Sequence, residues 1–99
     1  MNAIKRISEY KAFKDCLELL PKRNFSINYK NLFGVVRAGI VTSFIIGNTD
    51  IMFVISLSDQ EEKDRWTMLH VNKNTIARIY GNKIETSRAV FYLEEDNII

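Results

Sequence analysis

The apolar positions of this 99-residue chain change period along its length. Over residues 3–20 they recur at helical spacing. At about 100° per residue, Tyr10, Phe13, Cys16, Leu17 and Leu20 share one arc, and Lys11, Lys14, Asp15 and Glu18 lie opposite. This spacing predicts an amphipathic helix over 3–20. Ser8 as N-cap, with Ile7 stapling onto Ala12, would shorten it to 9–20. Pro21 stops it, because the residue before proline is driven out of the α region.

Beyond Pro21 the period falls to two. Phe25, Ile27 and Tyr29 alternate with Ser26, Asn28 and Lys30, the pattern of a half-buried strand. Segments 32–38, 40–46 and 51–57 are β-branched and apolar on both parities. Gly47–Asp50 reads as a hairpin turn between the last two, setting Ile46 against Ile51 and Phe44 against Phe53. Segment 58–65 is polar, with Ser58/Glu61 and Asp59/Glu62 at capping-box spacing, and predicts one or two helical turns or a solvated loop. Segments 67–71 and 75–80 read as short strands. Gly81-Asn82 then turns the chain into 84–93, setting Ile79 against Ile84 and Arg78 against Glu85. Residues 94–99 form an acidic, then apolar, tail.

Strands joined by short turns pair antiparallel. The expected class is therefore α+β: one domain over 1–99, with an N-terminal amphipathic helix packed on a curved antiparallel sheet of about five to seven strands. An open sheet and a partial barrel both satisfy the pattern. One helix covers one face, yet the central strands carry Phe44, Ile46, Ile51, Phe53 and Ile55 on one parity and Val41, Ile45, Met52 and Val54 on the other. A half-solvated antiparallel sheet is apolar on one parity only. The second face therefore calls for curling, a homodimer through the sheet, or another protein.

Charge narrows the functional classes. The net charge is +2, far from the balance of a dedicated duplex-DNA binder. It is unevenly placed: residues 1–45 hold eight basic and three acidic side chains, and residues 46–99 hold six and nine. No secretory leader pattern is visible. The apolar stretch 39–57 is interrupted by Gly47-Asn48-Thr49-Asp50, which would sit at the centre of a bilayer, so it reads as a hairpin and not a span. A cytoplasmic protein with a free thiol is expected. The single cysteine excludes a disulfide framework, and the single histidine excludes most histidine metal sites. No phosphate loop, EF-hand or nucleophile elbow is present, and no cofactor is expected. A Cys16–His70 dyad would need a thiol that the apolar arc of the helix would bury. No known family's pattern extends over more than a tenth of the chain.

The sequence thus points to a small non-enzymatic protein that engages, and inhibits or modulates, another protein. Arg37, Arg65 and Trp66 are the candidate contact residues, Trp66 because a large aromatic beside charge suits an interface anchor. Its Asn-, Ile- and Lys-rich usage is compatible with a phage or mobile-element product. The alternative is a nucleic-acid-binding domain using Lys11, Lys14, Lys22 and Arg23 as a ridge on and after the helix.

Overall fold

The computed structural model describes residues 7–93. Its strands are β1 (Lys11–Ala12), β2 (Phe25–Lys30), β3 (Val36–Ile46), β4 (Asp50–Ser56), β5 (Trp66–Asn72), β6 (Ile76–Tyr80), β7 (Lys83–Glu85) and β8 (Ala89–Tyr92). They form one antiparallel sheet in the order β1-β6-β7-β8-β2-β3-β4-β5. Two three-stranded meanders, β3–β5 and β6–β8, therefore meet at β2.

The expected α+β class is overturned, because the described chain is mostly sheet and no amphipathic α-helix packs on it. Phe13–Leu19 form a seven-residue 3-10 helix. The residues before it are already committed to the sheet: Lys11 pairs with Ala77 and Ala12 with Ile76. The next two amides also bond outward, Phe13 N–H to the Thr75 carbonyl (2.7 Å) and Lys14 N–H to the Lys73 carbonyl (3.1 Å). At the far end, Leu20 before Pro21 is extended (φ −74°, ψ 140°). Two turns are left between these constraints, too few for a stable α-helix. The predicted arc survives in part. Phe13, Cys16 and Leu20 are buried, but Tyr10 is exposed. The start of the expected helix, 3–6, and the predicted tail, 94–99, lie outside the described residues.

Two strand boundaries also differ. Segments 32–38 and 40–46 yield one strand, β3, while Leu32 and Phe33 sit in the preceding turn. A bulge between Val41 and Ser43 shifts the register, so Val41 and Phe44 both face the core. Segment 84–93 is broken into β7 and β8 by a turn in which the Thr86 hydroxyl accepts from the N–H groups of Arg88 (3.2 Å) and Ala89 (3.0 Å). Both hairpin registers fall as the alternation predicts: Ile46 faces Ile51, Phe44 faces Phe53, Ile79 faces Ile84, and Arg78 faces Glu85.

The sheet curls over its own core. β4 and β8 are three strands apart, roughly 14 Å across a flat sheet. Yet the rings of Phe53 and Phe91 are 5.0 Å apart. Phe13 fills the fold, stacked 5.0 Å from Phe91 and 6.1 Å from Phe53. Gly39 permits the bend. It pairs with Ile27, and a Cβ there would lie 2.5 Å from Ile55 Cγ2 and 3.0 Å from the Ser56 carbonyl oxygen.

Candidate functional site

Curling buries only the inner parity of the strands. On the outside, the β3–β4–β5 ladder sets Ser43, Val54 and Met68 in one row, Ile45, Met52 and His70 in the next, and Ile40, Ser56 and Trp66 in a third. Ile45, Trp66 and Met68 are each more than half exposed, and Met52 and Val54 are half-buried. None of these nine positions is an acid, a lysine or an arginine.

This face ends at a bare sheet edge. Among the described residues β5 pairs with β4 alone. Its sequence, Trp66-Thr67-Met68-Leu69-His70-Val71-Asn72, holds no proline and no acidic, lysine or arginine side chain. Natural edge strands are usually blunted by charge, proline, a bulge or shortness. The opposite edge, β1, is blunted by shortness, at two residues. β5 has seven residues and none of these devices.

No family model, curated protein or solved structure matches this chain. The site therefore rests on its geometry alone.

The three predicted contact residues gather around the loop between β4 and β5. Arg37 lies 3.6 Å from Asp59 in that loop and is largely covered. The Arg65 carbonyl closes the loop by accepting from Leu57 N–H (2.6 Å). Arg65 Nε is buried without a hydrogen-bond partner among the described residues. Trp66 stands at the start of β5 on the outer face. Sequence reasoning missed Met68 and the uncharged edge. Its signal was the apolar second parity of β3 and β4, which names Ile45, Met52 and Val54 but not their neighbour across β5.

The other predicted groups separate. Cys16 is buried within the curl, its Sγ 3.6 Å from the Ala12 carbonyl oxygen. Burial raises its thiol pKa above the ordinary value; Lys11 pulls it down and Asp15 adds to the rise. His70 is exposed on the outer face of β5, so the two do not form a dyad. Lys11, Lys14, Lys22 and Arg23 are exposed, but they are spread over β1, the 3-10 helix and the loop before β2. The amphipathic helix that was to carry them as a ridge is absent from the described residues. Among the described residues no cluster of histidine, cysteine or carboxylate could hold a metal ion, and no helix is long and apolar enough to cross a membrane.

Proposed function

We propose that this chain is a binding protein that engages and modulates another protein, using the outer β3–β5 face and the β5 edge. The observation that carries this reading is an uncharged seven-residue edge strand continuous with exposed Ile45, Met68 and Trp66. An extended segment of a partner adds to such an edge through main-chain hydrogen bonds, and alternate side chains lie on the apolar face. Trp66 is the anchor, because aromatic residues dominate interface energetics when a partner covers them. Arg37 and Arg65 shape the loop beside it. A second copy of this chain would pair edge to edge on the same surface.

The test is capture from nuclease-treated lysate with three proteins: wild type, Met68→Lys, and Lys83→Glu on the other meander. A protein retained by wild type and Lys83→Glu but lost with Met68→Lys supports the reading. Equal retention by all three overturns it. Light scattering on the purified wild type identifies the self-paired form. Nucleic acid bound through Lys11, Lys14, Lys22 and Arg23 would instead show affinity that falls steeply with salt and is indifferent to Met68→Lys.

A further inference from the structure

A concave site lies on the other side of β2. Its volume is about 530 Å³, and its lining comes from the ends of β2 and β7, the starts of β3, β6 and β8, and Tyr10. That volume lies within the usual range for a small-molecule site. Tyr10, Val36, Ile76 and Val90 supply apolar wall, and Lys30 and Arg88 supply positive charge. Tyr10, Val36 and Ile76 are each more than half exposed.

The two residues are held next to each other by their backbones. Lys30 N–H donates to the Arg88 carbonyl (2.9 Å), and the Arg88 guanidinium donates back to the Lys30 carbonyl (3.4 Å). The Thr86 hydroxyl fixes the turn from which Arg88 projects. Among the described residues neither cation has a carboxylate within ion-pair distance. Glu85, the one acidic group in the lining, accepts instead from the Tyr80 hydroxyl (3.0 Å). The lining therefore carries two cations against one carboxylate, and neither cation is paired with it, which favours a bound anion.

The geometry points to a binding site for a small organic anion with a flat apolar body, its acid group held by Lys30 and Arg88 and its body against Tyr10, Ile76 and Val90. This site shares no lining residue with the β5 face, so it stands independently of the protein-binding reading.

The probe is 1-anilinonaphthalene-8-sulfonate, compared with its uncharged analogue N-phenyl-1-naphthylamine. Fluorescence titration of the wild type is expected to saturate at one site for the sulfonate, with the uncharged analogue weaker by about tenfold or more, as for loss of one charge-assisted contact. Lys30→Gln/Arg88→Gln should weaken the sulfonate by a similar factor and leave the analogue unchanged. On the wild type alone, amide shift changes on adding the sulfonate should centre on Tyr10, Ile76 and Arg88. Equal affinity for both probes, shifts centred on Trp66 and Met68, or no saturable binding would each overturn the assignment. The shift map keeps the test decisive even where the double variant fails to fold.

Discussion

The two meanders share one core but present opposite outer surfaces. Outside β6–β8 and β2, apart from Ile76 and Val90 in the groove, the side chains are polar and several engage one another. Arg78 and Lys83 lie 4.9 and 5.0 Å from the centroid of the Tyr80 ring, whose hydroxyl bonds Glu85, and Asn28 donates to the Tyr92 hydroxyl (2.8 Å). Outside β3–β5, the equivalent rows are Val54–Met68 and Ile45–Met52. The β6–β8 meander largely follows the rule for a half-solvated antiparallel sheet, and the β3–β5 meander breaks it. Inner-face packing cannot account for this, since Phe53 in one and Phe91 in the other are equally buried. Under the proposed reading, one surface meets water and small solutes and the other meets a partner protein.

The harshest way to break the comparison is to remove what the meanders share. Phe13→Ala takes away the ring packed on both Phe53 and Phe91 and should cost about 3–5 kcal/mol in urea unfolding. Hydrogen exchange should accelerate in β4 and β8 together; acceleration in one alone would show that the meanders are separately stable. Gly39→Ala is milder. The added methyl must displace Ile55 and the strand behind it, which should cost about 1–3 kcal/mol.

Cys16 sharpens the picture through pH. Its thiol pKa is raised in the folded state, so folding holds the proton more tightly than the unfolded chain does. The resulting stability is fully present below the ordinary thiol range and declines as pH climbs through it. Unfolding midpoints of wild type and Cys16→Ala should therefore converge on the alkaline side, with the wild type showing the steeper fall. A parallel pair of curves would place the thiol in contact with water. The smallest change in stability belongs to the proposed interface. Trp66→Ser and Met68→Lys should each alter stability by no more than about 0.5 kcal/mol, as exposed positions do. A larger loss would assign those side chains to the fold rather than to a partner.

Local alternation carried much of this architecture. Phe44/Phe53 and Arg78/Glu85 are legible because a tight turn fixes register by counting residues. The helix was misread because its periodicity is real, while the claim of β6 on the backbone of Lys11 and Ala12 comes from far along the chain. The parity of Val41 was inverted by a bulge that leaves no mark in the alternation. The loss of a strand at 86–88 turns on one threonine hydroxyl. At the site, Trp66 was visible beside its charged run, and excess apolar surface on β3 and β4 was visible as a pattern. The groove was not, because Tyr10, Lys30, Ile76 and Arg88 come from four separate segments and no spacing rule joins them.

The pairing of β2 with β8 has a consequence for how the chain assembles. β2 is the seam between the meanders, and its Asn28 reaches Tyr92 across 64 residues of sequence. A chain growing from its N-terminus completes the β2–β5 ribbon while the second flank of β2 and the stacking surface of Phe13 still have no occupant. Both are filled by one late, four-residue strand, Ala89–Tyr92, which carries Phe91. Closure of this long loop has to precede the contacts that reward it, which slows folding. Until Phe91 arrives, the inner face of the ribbon lacks the cover that the second meander supplies, and a partner that grips the β5 edge early would meet the chain when it most needs an escort.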